Sequence, residues 1–314
     1  MNKNKKINSS FNLVKVNPLK SHSNVEVEAE LSKRFQHAER FSKEPFTEKK
    51  LVYFTINYNI SYLFLFLYCL RSLNKSHDAG CKYDVLIICP AVMEKMINDL
   101  IDEYGVRLRC DNLYFHHVPV AADGVEASMN KLKVYGWERI KEYGKVLFLD
   151  VDIVFNRCVD ELFKLDLKPG ILHAGIHMQS MHLHNTVFHK LVNKYTEEEL
   201  QVFNDKGIYA FNAGQFMFIN SERMLRHLYN VSWLSRAWNG PYFFEQAFMN
   251  HYFNRYLISD VTLLNDRIKF MPVQLEGDVF NSVNSDTVFI HFTGEACNAQ
   301  AKMKFIRKHF SGLI

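Results

Sequence analysis

Lys145-Val146-Leu147-Phe148-Leu149-Asp150-Val151-Asp152 is an apolar run of strand length that ends in two carboxylates one residue apart. Side chains alternate between the two faces of a strand, so Asp150 and Asp152 can converge only where the strand ends and the chain turns outward. Two carboxylates held at such a point can bind one cation. Because an Asp-x-Asp pair is also common in solvated turns and helix caps, the rest of the sequence has to decide between these interpretations.

Strands and helices alternate on both sides of this run. Upstream we predict strands at residues 51–56, 84–89 and 113–118, and helices at 61–73, 93–104 and 129–143, the last ending at a Gly144 helix cap. Downstream we predict strands at 153–155, 173–175, 215–219 and 287–292, and helices at 159–163, 196–203, 243–252 and 302–309. Alternating strands and helices indicate an α/β fold whose mostly parallel central sheet is flanked by helices.

Composition and charge exclude several classes of protein. The net charge is +4, but residues 1–50 hold 11 Lys and Arg against 6 Asp and Glu, which leaves 27 basic against 28 acidic residues elsewhere. A nucleic-acid-binding domain normally carries a basic excess, so no nucleic-acid partner is expected. The apolar run at residues 62–70 is too short to span a membrane, and the polar N-terminus does not resemble a secretion signal. The six scattered cysteines are typical of reduced thiols, and we therefore expect a cytoplasmic protein without a transmembrane segment.

The chain divides by composition near residue 48. Residues 1–48 are polar and rich in Lys, Asn, Ser and Glu, which predicts a flexible arm with one helix around residues 25–41. Residues 49–314 carry the apolar periodicity of the folded domain. The oligomeric state does not follow from the sequence, and a homodimer is one of the alternatives.

Five sequence blocks follow one another in the folded domain. They are residues 52–62, the segment from Asn130-Lys131-Leu132 through Asp150-Val151-Asp152 to Asp160-Glu161-Leu162-Phe163, then Phe211-Asn212-Ala213-Gly214, Glu245-Gln246, and His291-Phe292-Thr293-Gly294. In this order they resemble the glycogenin-like family 8 glycosyltransferases, over most of the chain. The resemblance implies a GT-A nucleotide-diphospho-sugar transferase fold. It also implies metal-dependent, retaining transfer of a hexose from a UDP-sugar, with UDP-glucose or UDP-galactose favoured, to a hydroxyl on a glycan or protein.

The resemblance predicts a metal site at Asp150, Asp152 and His291. When the glycosidic bond breaks, negative charge grows on the diphosphate, and a divalent metal stabilises it. Carboxylate oxygens with one imidazole suit Mn²⁺, with Mg²⁺ as the alternative. Without the motif, His291 would be interpreted as a hydrogen-bonded strand histidine.

The resemblance also assigns residues to the donor. The turn after the first strand is expected to hold uracil and ribose, although Tyr62 could equally be a core aromatic. Lys131 is expected near the sugar or phosphates, and a glycine near the diphosphate allows close approach of the backbone. The predicted donor-binding residues are Ile56, Asn57, Asn59, Tyr62, Lys131, Asp150, Val151, Asn212, Ala213 and Gly294.

Gln246 and Glu245 are the predicted catalytic residues. In retaining transfer, a carboxylate or amide near the anomeric carbon can stabilise positive charge in the transition state. Glu245 stands where the family has Asp, so its longer side chain leaves its role open. A structural interpretation of Glu245 is an acid that favours a helix N-terminus.

Two departures from the family keep alternatives open. The family lysine after the His-Phe-x-Gly block is missing, and Lys302 or Lys304 could replace it from the last helix. Tyr242 stands near a position where the family has a sugar-binding Asp. The alternatives are a catalytically weak sugar-nucleotide or glycan-binding protein and an inverting transferase. A histidine-rich segment from His173 to His189 has no metal-ligand spacing and is interpreted as a polar loop.

Overall fold

The computed structural model describes residues 23–57, 59–77, 80–106, 108–176, 197–238, 244–272, 283, 285–293 and 299–310. The strands are β1 Lys50–Thr55, β2 Asp84–Cys89, β3 Leu113–His117, β4 Lys145–Leu149, β5 Ile153–Phe155, β6 Leu172–Ile176, β7 Phe211–Ile219, β8 Ser259–Asp260, β9 Ile268–Pro272 and β10 Phe289–Thr293. The α-helices are α1 Asn24–Ala38, α2 Ser61–Lys75, α3 Ala91–Glu103, α4 Gly124–Met129, α5 Asp160–Phe163, α6 Glu197–Asp205, α7 Glu222–Ala237, α8 Glu245–Arg255, α9 Thr262–Asn265 and α10 Ala299–His309.

The central sheet has seven strands in the order β3-β2-β1-β4-β7-β6-β8. Strands β3, β2, β1 and β4 are parallel, and β7 is antiparallel to both β4 and β6. The carboxyl end of β4 therefore lies beside the amino end of β7 at one edge of the sheet. A second sheet has the strand order β5-β10-β9, and its strand β5 follows directly after β4 along the chain. This topology confirms the predicted α/β fold with a mostly parallel sheet.

The two faces of the central sheet pack into two hydrophobic clusters. Along β4, Val146 and Phe148 belong to one cluster, and Leu147 and Leu149 belong to the other. Phe148 stacks on Phe216 of the neighbouring β7 with ring centroids 4.9 Å apart. Each fully buried side chain of this kind contributes about 1.5–3 kcal/mol through removal from water. Because both faces of β4 are buried in this way, polar side chains of this segment can reach solvent only after the strand ends.

The prediction of one helix over residues 129–143 is wrong. Helix α4 ends at Met129, and two 3₁₀ helices, Asn130–Gly136 and Glu138–Glu142, follow it. They are separated by Trp137, whose backbone is extended with φ −76° and ψ 124°. Gly144 is not a left-handed helix cap either. A Cβ at Gly144 would collide with the backbone of Thr47, so the glycine permits two chain segments to pass closely.

The predicted N-terminal helix is present as α1. Ser23 and Glu26 form a capping box at its start. Val27 and Leu31 are buried, and α1 packs against α7. The division of the chain at residue 48 stays a prediction. Among the described helices, none combines the length and apolar character needed to cross a bilayer.

Candidate active site

Three predicted metal ligands from two separate segments of the chain meet at the edge of the central sheet. Asp150 and Asp152 follow β4, and His291 lies on β10. His291 Nε2 is 3.2 Å from Asp152 Oδ1 and 4.0 Å from Asp150 Oδ2. One ligand atom from each residue lies within 4.8 Å of the other two. We call these three residues the Asp-Asp-His cluster.

The polar atoms of the cluster fit a divalent cation. His291 Nδ1 lies 2.9 Å from Gln215 Oε1, and with the amide in this orientation Nδ1 carries the proton. In the neutral ring, Nε2 then presents a lone pair toward a carboxylate. Asp152 Oδ1 is buried and has no hydrogen-bond partner. A cation between these atoms would satisfy both, and carboxylate oxygens with one imidazole are donors that Mn²⁺ or Mg²⁺ accept.

Gly214 makes the cluster sterically possible. A Cβ at this position would lie 2.5 Å from Asp150 Oδ2 and would collide with the His291 ring. The backbone of Gly214 also accepts a 2.7 Å hydrogen bond from the Asp150 amide, which holds the end of β4 against β7. Gln215 and Gly214 were not among the predicted site residues. A polar Gln215 at the start of the apolar Phe216-Met217-Phe218 run was the available sequence signal.

Burial and neighbouring charges shift the pKa values of the two aspartates in opposite directions. Burial raises the pKa of Asp150, and this exceeds the opposing effect of Lys131. Burial would also raise the pKa of Asp152, but Lys302 and His291 together bring it below its usual value. Asp152 is therefore the carboxylate that stays ionised most readily, because the Lys302 ammonium lies directly beside it.

Lys131 and Glu245 form a buried pair beside the cluster. Lys131 Nζ donates to Glu245 Oε1 at 2.6 Å, to the Ala213 carbonyl at 3.0 Å and to Asp150 Oδ1 at 3.3 Å. These three acceptors use all three ammonium hydrogens. Burial would lower the pKa of Lys131, but Asp150 and Glu245 raise it above its usual value. Glu245 Oε2 is buried without a hydrogen-bond partner.

Gln246 and the start of β7 lie next to this pair. Gln246 Oε1 accepts a hydrogen bond from the Ala213 amide at 2.9 Å. Asn212 Oδ1 accepts from the Gly214 amide at 2.7 Å. The structure therefore brings Gln246, Asn212 and Ala213 together with Lys131, at the same edge of the sheet as the Asp-Asp-His cluster.

The predicted uridine-binding turn follows β1. Ile56 is buried. The Asn57 side chain donates to the Pro119 carbonyl and accepts from the Ala121 amide, each at 3.0 Å, so it holds a neighbouring loop. Asn59 is exposed in the turn before α2. These positions are close in the chain, and their contact with a nucleotide stays a prediction.

Tyr62 and Lys302 also lie near the two aspartates of the cluster. Tyr62 is partly buried, and burial raises its pKa, with smaller effects from Lys302 and both aspartates of the cluster. Lys302 on α10 pairs directly with Asp152 Oδ2, whereas Lys304 is exposed. Val151, between the two aspartates, is buried.

Some residues named from the sequence lie away from the site, and others lie outside the described residues. His173 is buried in β6, where its Nε2 accepts from the Lys168 amide at 3.0 Å. The described cysteines are free thiols. The positions outside the described residues are Gly294, Tyr242, Cys297, His177, His182, His184 and His189.

Comparisons with known proteins agree with this geometry. A model described as "Glycosyl transferase family 8" matches residues 52–296. No curated protein sequence matches the chain. The galactosyltransferase LgtC, solved with donor and acceptor sugar analogues, is 17% identical with a TM-score of 0.50, over 84% of this chain and 100% of LgtC. The bifunctional glycosyltransferase WbbM is 14% identical with a TM-score of 0.52, over 83% of this chain and 49% of WbbM. The chain thus spans about half the length of WbbM, and these likenesses show the GT-A fold.

Proposed function

The chain belongs to glycosyl transferase family 8, and from this we propose that it transfers a hexose from a UDP-sugar to a hydroxyl on a glycan or protein. UDP-glucose and UDP-galactose are the favoured donors, and the anomeric configuration is retained. The observation that carries the proposal is the Asp-Asp-His cluster, in which Asp152 Oδ1, a buried carboxylate oxygen without a hydrogen-bond partner, lies 3.2 Å from His291 Nε2.

Asp150, Asp152 and His291 would hold a divalent cation, with Mn²⁺ favoured. A bound cation would stabilise the negative charge that develops on the departing diphosphate. Gln215 keeps the proton of His291 on Nδ1 and thereby leaves Nε2 free to bind. The start of β7 fixes the spacing of the ligands because Gly214 leaves room for both His291 and Asp150.

Gln246 and Glu245 act at the donor sugar in different ways. The Ala213 amide orients the Gln246 carbonyl oxygen, which keeps a second lone pair for positive charge developing at the anomeric carbon. Glu245 instead pairs with Lys131 and acts as its counter-ion, so its role is to position the lysine. Asn212 and Ala213 line the donor sugar, and the turn from Ile56 to Tyr62 holds the uridine.

Lys302 bears on the alternative of a catalytically weak binding protein. That alternative arose from the missing family lysine. A buried ammonium beside Asp152 supplies a positive charge at the site from a different part of the chain. We therefore favour the enzyme.

A donor-panel assay with a metal-ligand variant tests the proposed function. With Mn²⁺, the wild-type protein should release UDP from at least one UDP-hexose, and Asp152→Asn should lower kcat/KM by about 100-fold or more. Asp166→Asn, which changes an exposed aspartate in the loop before β6, is the matched control and should leave kcat/KM unchanged. NMR of the product should show the donor's anomeric configuration. Absence of UDP binding and UDP release across the panel would refute the proposal.

A further inference from the structure

A lysine from the last described helix reaches the Asp-Asp-His cluster. Lys302 lies near the start of α10, and its Nζ pairs with Asp152 Oδ2. Both side chains retain only 8% of their accessible surface. Lys304 and Lys308 on the same helix are exposed. The helix therefore presents one particular lysine to the site, 150 residues away from its partner in the sequence.

Helix α10 is anchored by contacts that do not involve this pair. Ala299 and Ile306 are buried, and the Phe305 ring lies 5.7 Å from the Phe292 ring of β10. Arg307 Nε donates to the Tyr68 hydroxyl of α2 at 2.6 Å. Since apolar burial and this hydrogen bond hold the helix in place, Lys302 can change its partner without releasing α10.

The Lys302 ammonium opposes a second positive charge at the cluster. It neutralises Asp152 through Oδ2, while Oδ1 on the same carboxylate has no hydrogen bond. A cation held by Asp152 Oδ1 would share this carboxylate with the ammonium, and like charges repel strongly where water is excluded. In the ligand-free protein, Lys302 thus lowers the affinity of the cluster for a divalent cation.

We propose that Lys302 couples the binding of a divalent cation to the binding of a nucleoside diphosphate. It pairs with Asp152 when no diphosphate is bound and with the diphosphate oxygens when the donor arrives. The flexible four-carbon stem of lysine permits this exchange. Asp152 is then released to the cation, so each ligand strengthens the binding of the other by the same factor. The inference rests on the proposed function, because that function supplies the two ligands.

Calorimetric titration of Mn²⁺, with and without saturating UDP, tests the coupling. In the wild-type protein, UDP should raise the affinity for Mn²⁺. In Lys302→Met, Mn²⁺ should bind several-fold more tightly without UDP, because the competing charge is gone, and UDP itself should bind more weakly. The factor by which UDP raises Mn²⁺ affinity should fall about tenfold. Lys308→Met, on the exposed side of α10, is the matched control and should behave as the wild type.

The outcomes separate this inference from the proposed function. A folded Lys302→Met protein with wild-type Mn²⁺ affinity and wild-type coupling would overturn the inference alone, provided that the wild type transfers sugar. A wild-type protein that binds neither Mn²⁺ nor UDP would overturn both. Lys302→Gln, whose amide can still donate to Asp152, repeats the test with a smaller structural change. If neither variant folds, the pair is required for folding and is not exchangeable, which also contradicts the inference.

Discussion

His291 and His227 lie in two buried clusters that are built almost alike. In each ring, Nδ1 lies 2.9 Å from an uncharged oxygen, which belongs to Gln215 for His291 and to Tyr252 for His227. In each ring, Nε2 lies 3.2 Å from a carboxylate oxygen. Burial and hydrogen bonding therefore do not distinguish a predicted metal ligand from a histidine of the core.

The two clusters differ in the number of their carboxylates. Asp152 is paired with Lys302, and Glu39 with Arg223, so each histidine has an acid and a cation as neighbours. Only at the edge of the sheet does a second carboxylate, Asp150, join them. Within the described residues, the Asp-Asp-His cluster is the one group of three acidic, histidine or cysteine side chains with metal-ligand spacing.

Charge balance explains what the second carboxylate does. At the site, Asp150, Asp152 and Glu245 face Lys131 and Lys302, which leaves one negative charge uncompensated when all are ionised. Around His227, the single acid is compensated by a single arginine. A buried histidine beside an acid therefore indicates a metal site only when the neighbouring acids carry more negative charge than the neighbouring cations balance.

Removing the second carboxylate should produce the largest effect. We expect Asp150→Asn to lower Mn²⁺ affinity by at least about 100-fold, measured by calorimetry, because the site then has the composition of the His227 cluster. Glu39→Gln is the counterpart. It should leave Mn²⁺ affinity unchanged but lower the free energy of unfolding by about 1–3 kcal/mol, since the buried Arg223 loses its partner. Loss of Mn²⁺ binding in Glu39→Gln would contradict the comparison.

Crowding the cluster should have an intermediate effect. We expect Gly214→Ala to lower Mn²⁺ affinity about tenfold, because its methyl group displaces His291 and Asp150. The same change should cost about 1–3 kcal/mol of stability, measured by chemical denaturation. Gly136→Ala is the control, because a Cβ there meets no atom within 4 Å. Unchanged metal affinity in Gly214→Ala would show that the cluster is not sterically fixed.

Acid should affect the stability of the folded protein through the His227 cluster, gradually rather than through the loss of a ligand. Burial, followed by the charge of Arg223, lowers the pKa of His227 to about 3. Because the unfolded chain binds this proton near pH 6.5, the stabilisation is present above that pH and is lost as the pH falls toward 3. Denaturation between pH 4 and 6 should show a contribution of about 1.4 kcal/mol per pH unit that disappears in His227→Gln. Equal pH slopes in both proteins would contradict this assignment.

Local patterns in the sequence account for most of the central sheet. Apolar runs bounded by polar turns predicted β1 to β4 within about a residue, and helical periodicity predicted α2 and α3. The error at Gly144 has a cause distant in sequence, because the Thr47 backbone passes so close that only a glycine fits. Helix α7 was missed although its Ser221 cap is a local signal.

Strand alternation is a local property of the sequence, so the apolar run alone is enough to place Asp150 and Asp152 at the end of β4. The family motifs added His291, Glu245 and Gln246, and their roles stay predictions. How these groups meet depends on the three-dimensional packing of the strands and helices that carry them. His291 approaches because β10 pairs with β5 directly after the aspartates, and Lys302, rather than Lys304, enters because of the orientation of α10. Such contacts depend on the packing of whole elements, which neighbouring residues in the sequence do not specify.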